Sequence, residues 1–200
     1  MTIARPHVWI DKDSTETLLL LHGTGADEND LIQLGEMISP QSNLLSPRGT
    51  VSENGMNRFF ERTPQGEFVQ SSVLEAVGEL EDFISEASQE YGFDKQNLSA
   101  SGFSNGANTA LAVLMVRPEI LKTVIAFGAT KPLRQPIEVD LRNKTVFIAN
   151  GDVDPFAPPA ITDAFTAELR ASGARVELLT HPGGHQISSA HIQQINSDLT

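Results

Sequence analysis

The segment Gly102-Phe103-Ser104-Asn105-Gly106 carries the residues best suited to covalent chemistry. It follows a short strand-like run and precedes helix-compatible residues, which is the setting of a nucleophile elbow. In such a turn the serine adopts a strained backbone conformation, and side chains at the two glycine positions would collide. The turn places the hydroxyl at a helix N-terminus, where free amides favour negative charge. Ser104 is therefore the candidate nucleophile, and an exposed serine in a glycine-rich turn is the alternative.

A serine nucleophile needs a base that accepts its proton and returns it to the leaving group. His185 follows Gly183-Gly184, and this glycine pair lets the loop curl back toward the serine. His181 is the second candidate, but its strand-end position before a proline favours a structural role. His22 is expected to pack and hydrogen-bond beneath the site. The five histidines lack a zinc-ligand spacing and there is no cysteine, so no metal is expected.

The base in turn needs a carboxylate that fixes its tautomer and stabilises its charged form. Asp152 and Asp154 both follow the predicted strand that ends near Asn150. Asp152 falls where the chain is still leaving that strand. Pro155 disfavours the helical region for Asp154 and fixes an extended turn, which suits a carboxylate held rigidly toward a neighbouring loop. Asp154 is therefore the predicted acid, and Asp152 is the alternative.

Hydrogen-bond donors for the negatively charged oxygen of the reaction must also lie near Ser104. The residue directly after the nucleophile supplies one backbone N–H, which here belongs to Asn105. The second comes from the first glycine-rich loop, His22-Gly23-Thr24-Gly25, in which Thr24 is the predicted donor. A phosphate-binding loop is the alternative for this segment, but the Gly-x-Gly-x-x-Gly spacing and the Walker lysine are both missing.

Predicted strands and helices alternate along the chain, which favours an α/β fold with a parallel sheet covered on both faces. Strands are predicted at Thr17–Leu21, near residues 43–47, from Leu98 into the elbow, and at Leu121–Phe127, Lys144–Asn150 and Arg175–Thr180. Helices are predicted from Asp27 to Ile38, from Val69 to Tyr91, after the elbow to Met115, from Pro158 to Leu169, and around Ile192–Leu199. Residues 53–62 show no helical period and are predicted to be irregular. Right-handed crossovers should bring the loops after the strands to one edge, where sites of such folds form.

Composition limits the classes of function. Of the 200 residues 40% are hydrophobic, so residues 1–200 are expected to form a single domain with a substantial core. The chain has no cysteine, which excludes disulfides and thiolate chemistry and agrees with a cytoplasmic location. Met1–Trp9 lacks the apolar stretch of a signal peptide. A formal net charge of −12 repels phosphate backbones and anionic lipid, so neither nucleic acid nor a membrane is an expected partner.

Several motifs follow one another in the order and spacing of a known family. They are Leu-Leu-His-Gly-Thr-Gly-Ala-Asp-Glu-Asn-Asp (20–30), Ser-Pro-Arg-Gly (46–49), Glu-Asn-Gly-Met-Asn-Arg-Phe-Phe (53–60), Gly-Phe-Ser-Asn-Gly-Ala-Asn (102–108), Asp-Pro (154–155) and Gly-Gly-His (183–185). The chain thereby resembles the phospholipase/carboxylesterase family of the α/β-hydrolase superfamily, and within it the dienelactone-hydrolase-like hydrolases of the MhqD type. The resemblance covers nearly the whole chain. It implies an α/β-hydrolase fold with a mostly parallel central sheet, helices on both faces and a minimal lid.

The resemblance also implies a serine esterase with Ser104 as nucleophile, Asp154 as acid and His185 as base, and with no metal or organic cofactor. Residues 53–60 should lie beside an open site and shape its pocket. The candidate substrate-binding residues in that segment are Met56, Arg58 and Phe59. The founding dienelactone hydrolases use a cysteine nucleophile, which this chain lacks, so dienelactone is not assumed as substrate.

Arg58 has two interpretations. An arginine flanked by aromatic residues beside a site could orient a carboxylate or an ester carbonyl, whereas a salt bridge to Glu53 or Glu61 is the structural alternative.

The predicted activity is hydrolysis of small carboxylic esters through an acyl-enzyme, with acyl-thioester or lysophospholipid hydrolysis as alternatives. A ligand-binding protein of the same fold is the non-enzyme alternative. Whether the chain forms a homodimer stays open.

Overall fold

The computed structural model describes residues 3–199 and is organised around a seven-stranded sheet. The strands are β1 (His7–Ile10), β2 (Thr17–Leu21), β3 (Asn43–Pro47), β4 (Val51–Glu53), β5 (Met56–Arg58), β6 (Leu98–Phe103), β7 (Thr123–Phe127), β8 (Thr145–Gly151) and β9 (Arg175–His181). The helices are α1 (Ile32–Ile38), α2 (Gln70–Tyr91), α3 (Asn105–Val116), α4 (Pro159–Ala171) and α5 (Ser189–Leu199). The sheet order is β1-β3-β2-β6-β7-β8-β9, and β4 and β5 form a separate hairpin.

The sheet is parallel from β3 to β9, and β1 pairs antiparallel on the outer side of β3. Every residue of β2 is buried, as expected for a strand that is apolar on both faces. β6 lies in the middle of the sheet, with three strands on each side. Because these strands are parallel, the loops that follow β2, β6, β8 and β9 all leave from the carboxyl ends of the strands, along the same side of the sheet.

Helices cover both faces of the sheet. One core cluster joins the sheet to α2, α3 and α4 through residues such as Val77, Leu111 and Phe165. The opposite cluster joins it to α1 and α5 through residues such as Ile38 and Ile195. This arrangement confirms the predicted covered, mostly parallel sheet. Within residues 3–199, none of the helices has the length and apolar character needed to cross a membrane.

Three stretches differ from the sequence-based prediction. Helix α1 begins at Ile32 and not at Asp27, because the Asp27 carboxylate accepts the backbone N–H of Asn29 and holds a turn there. Residues 53–62 are not wholly irregular, since Asn54 and Gly55 take left-handed conformations and close the β4–β5 hairpin. An Asn-Gly pair is a strong signal for such a turn. The edge strand β1 was also not predicted.

Candidate active site

Ser104 lies at the sharp turn between the central strand β6 and α3. Its backbone has φ 52° and ψ −111°, a strained conformation for a residue with a side chain. Its N–H donates to the carbonyl of Phe127 on the neighbouring strand over 2.9 Å, which anchors the turn. A Cβ on Gly102 would lie 2.6 Å from the carbonyl carbon of Gly106, and one on Gly106 would collide with the carbonyl of Leu21. Both glycines are therefore required by the close approach of α3 to the sheet.

Asp154 and His185 come together from the loops after β8 and β9. The Nδ1 of His185 lies 2.7 Å from Oδ2 of Asp154, and the Asp154 side chain is fully buried. The other carboxylate oxygen accepts the backbone N–H of Phe156 over 2.8 Å, so both oxygens have partners. Asp152 is exposed and contributes its backbone N–H to the carbonyl of His181. Of the two candidate acids, the structure brings Asp154 to the imidazole.

The imidazole of His185 is held on three sides. Its ring centroid lies 4.8 Å from that of Phe103 and 5.0 Å from that of Phe156, which meets it edge-on. Beneath it is Gly128, directly after β7, where φ is +61° and an added Cβ would lie 2.7 Å from Cε1 of His185. Sequence reasoning missed Gly128, although a glycine directly after a buried strand was a signal for close approach.

The two residues predicted to supply the oxyanion donors line the cavity that contains Ser104. Asn105 is the first residue of α3, and Thr24 lies in the loop after β2; both line the same cavity as Ser104 and His185. The Asn105 side chain accepts the backbone N–H of Phe59 over 2.7 Å, which ties the segment after β5 to the elbow. The site is thus built from loops after β2, β6, β8 and β9, as the parallel topology requires.

Arg58 connects the hairpin to the loop of Thr24. Its Nη1 donates to the Thr24 hydroxyl over 2.5 Å, and its Nε lies 3.0 Å from the carbonyl of Phe60 and 3.1 Å from a carboxylate oxygen of Glu53. The side chain is almost wholly buried, and burial lowers the pKa of Arg58 to about 10. The nearby charge of Arg62 contributes to this lowering of the pKa, and the charge of Glu53 opposes it. The predicted ion pair with Glu53 is present, while Arg58 also lines the cavity.

Phe59 and Met56 lie next to the site but are not among the residues that line its cavity. Phe59 is buried, and its ring centroid lies 4.8 Å from that of His22. Met56 is partly exposed and lies beside Gly25. A role for either residue in substrate binding stays a prediction.

The remaining histidines near the site have structural contacts. The Nδ1 of buried His22 lies 2.7 Å from the carbonyl of Gly23, and its Nε2 accepts the N–H of Gly49 over 2.9 Å. These contacts, which join two loops beneath the site, require the neutral imidazole. His181 accepts the N–H of Gly183 at Nδ1 over 3.0 Å and so shapes the loop that carries His185.

The cavity has a volume of about 750 Å³, and its walls include the apolar side chains of Phe68, Phe103, Leu133 and Phe156. Within residues 3–199, no group of three or more His, Cys, Asp or Glu side chains is arranged to hold a metal ion.

Comparison with known proteins identifies the family. The sequence profile of the phospholipase/carboxylesterase family matches residues 8–200. The chain belongs to this family. MhqD of Bacillus subtilis (strain 168), described as a hydrolase, is 38% identical over 188 residues, which make up 94% of each chain. Membership of this family, together with the similarity to a solved carboxylesterase structure, makes this chain an ester hydrolase.

Two solved structures extend the comparison. A carboxylesterase of Bacillus cereus is 36% identical and superposes with a TM-score of 0.93, over 97% of this chain and 92% of that one. YahD, solved with malic acid, is 30% identical with a TM-score of 0.90, over 98% of each chain. Together with the sheet described above, these similarities show the α/β-hydrolase fold.

Proposed function

We propose that this member of the phospholipase/carboxylesterase family is a serine esterase that hydrolyses small carboxylic esters through an acyl-enzyme. One observation carries the proposal: a serine on a strained elbow and a histidine paired with a buried aspartate open into the same cavity. Nucleophile, base and orienting acid are the three parts that acyl transfer by a serine needs.

In the first half-reaction, Ser104 Oγ bonds to the ester carbonyl carbon while Nε2 of His185 accepts the hydroxyl proton. The backbone N–H groups of Thr24 and Asn105 stabilise the negative charge that develops on the carbonyl oxygen. Asp154 accepts the N–H at Nδ1, which holds Nε2 free to act as the base and stabilises the imidazolium. The imidazolium then gives its proton to the departing alkoxide, leaving the acyl group on the serine.

In the second half-reaction, a water molecule gives a proton to His185 and bonds to the acyl carbon. Collapse of this second intermediate breaks the bond to Ser104, which regains its proton from His185 and releases the carboxylic acid. The size of the cavity supports small substrates. A volume of about 750 Å³ falls within the range of sites for small molecules, about 300 to 1,000 Å³.

A fluorophosphonate probe tests the assignment of the nucleophile. It should label the wild type and should not label Ser104→Ala, which should also lose on the order of a millionfold in p-nitrophenyl acetate turnover. Ser101→Ala is the matched control, because Ser101 lies buried in β6 and its hydroxyl has no hydrogen-bond partner within residues 3–199. Labelling that persists in Ser104→Ala would refute the proposal. Parallel assays with a thioester of the same acyl group measure the preference between oxygen and sulfur esters.

A further inference from the structure

Two arginines at the cavity wall share one carboxylate. Glu53 Oε2 lies 3.1 Å from Nε of Arg58 and 3.2 Å from Nη2 of Arg62, and its other oxygen lies 3.4 Å from Nη2 of Arg62. Both arginines line the cavity that contains Ser104. Two positive charges and one negative charge leave this group of three side chains with a surplus of one positive charge.

The two arginines differ in how many of their donors are used. Arg58 is buried and divides its donors among Glu53, Phe60 and Thr24. Arg62 is partly exposed, with 29% of its side chain accessible, and its contact to Glu53 uses Nη2 alone. Its Nε is buried without a partner within residues 3–199. Arg62 is therefore the member of the pair with donors to spare, and a buried donor without an acceptor is costly.

The other cations of the cavity wall are already balanced. Lys131 lies within 2.9 Å of both carboxylate oxygens of Glu168. Arg134 pairs with Glu67 over 2.9 Å. The surplus charge is therefore confined to the side of the cavity formed by Arg62. It stands out because the whole chain carries a formal net charge of −12, which repels anions elsewhere.

We infer that Arg62 is the anchor of an anion subsite, and that the preferred substrates are esters that carry a carboxylate, such as the monoesters of short dicarboxylic acids. One carboxylate neutralises the one surplus charge. A planar guanidinium donates to a carboxylate with two parallel N–H groups, a geometry that also fixes the orientation of the ligand. The rest of the substrate then extends toward Ser104. This inference rests on the proposed esterase function of the same cavity.

Two esters of matched shape test it, because monomethyl succinate carries a carboxylate where methyl butyrate carries a methyl group. Hydrolysis of each is followed by proton release in a pH-stat, and the ratio of their kcat/KM values is the readout. Arg62→Gln should lower this ratio by about 10- to 100-fold, the effect of losing one charged hydrogen-bonding contact. In the wild type the ratio should also fall as salt rises from about 50 mM to about 500 mM.

Arg134→Gln is the control, since it removes the same charge from the same cavity but at a residue that Glu67 already balances. The ratio of the two kcat/KM values in this variant should stay within about twofold of the wild-type ratio. Arg62→Lys keeps the charge and loses the planar fork, so its ratio should lie between those of the wild type and Arg62→Gln. If Arg62→Gln does not fold, the anion subsite is tested by the ratio of kcat/KM values in Arg62→Lys and by the salt dependence of that ratio in the wild type.

Each outcome has a separate meaning. The anion subsite is overturned if the ratio of the two kcat/KM values does not change in the Arg62 variants, or if it falls equally in Arg134→Gln. In either case, continued hydrolysis of methyl butyrate leaves the esterase proposal standing. If the wild type hydrolyses neither ester nor p-nitrophenyl acetate, the esterase proposal itself fails.

Discussion

Replacing Gly128 by alanine should disable the histidine without disrupting the fold. The new Cβ would lie 2.7 Å from Cε1 and 3.0 Å from Nδ1 of His185. Carbon atoms in ordinary contact are about 3.5 to 4.0 Å apart, so the imidazole must move by about 1 Å. Phe103 and Phe156 restrict where it can go. A displacement of about 1 Å in a catalytic group can cost on the order of 100-fold in rate, so kcat/KM for p-nitrophenyl acetate should fall by about that factor.

The alanine also has to adopt the left-handed backbone of Gly128, where φ is +61°. That conformation costs about 1 to 2 kcal/mol in the free energy of unfolding. Gly92→Ala separates strain from collision, because Gly92 caps α2 with φ +77° and an added Cβ there meets nothing within 4 Å. Both variants should lose similar stability in urea titrations, but only Gly128→Ala should lose activity. Equal kcat/KM in the two variants would refute the placement of His185 as the base.

Three further predictions follow from the contacts of single side chains. Asp154→Asn should lower kcat about 10⁴-fold and Asp152→Asn at most about tenfold, because of the two aspartates it is Asp154 whose carboxylate contacts the imidazole; the reverse order in steady-state assays would exclude Asp154 as the acid. Burial lowers the pKa of His22 from 6.5, so below that pH the unfolded chain binds a proton at His22 more readily than the folded chain does. The free energy of unfolding should therefore fall as the pH drops below about 6.5. Urea titrations at about pH 7 and pH 5 should show a larger loss in the wild type than in His22→Gln, and equal losses would contradict this. Arg58→Met should cost about 2 kcal/mol in stability and about tenfold in kcat for a neutral ester, because the Thr24 loop loses its contact; unchanged kinetics with lower stability would assign Arg58 to the fold alone.

The sequence predicted the parts of the site that depend on local patterns. The elbow at Ser104 follows from two glycines and the elements on either side, and these are features of neighbouring residues. The preference for Asp154 over Asp152 came from Pro155, which acts only on the residue before it, and the structure brings Asp154 to the imidazole. The common sheet edge followed from the alternation of strands and helices. In each case the physical cause lies within a few residues along the chain.

The features that were missed depend on residues far apart in sequence. Gly128 matters because the loop after β9 returns over β7, and no local pattern records that approach. The strand β1 exists through its antiparallel pairing with β3. Likewise, the sharing of Glu53 between two arginines depends on the register of the β4–β5 hairpin, where Val51 faces Arg58. The Asn54-Gly55 turn was a local signal for that hairpin, and the sequence interpretation did not use it.

The order of strands in the sheet also determines how the site should fail under stress. Ser104 follows β6, which is protected by three strands on either side, whereas His185 follows β9, the last strand at one edge. Edge strands open locally at a lower free-energy cost than central ones. Fraying of β9 would withdraw the histidine while the serine elbow and most of the core stay intact. Heat or mild denaturant should therefore abolish activity before the sheet unfolds, and the enzyme's own turnover becomes a sensitive reporter of one edge of its structure.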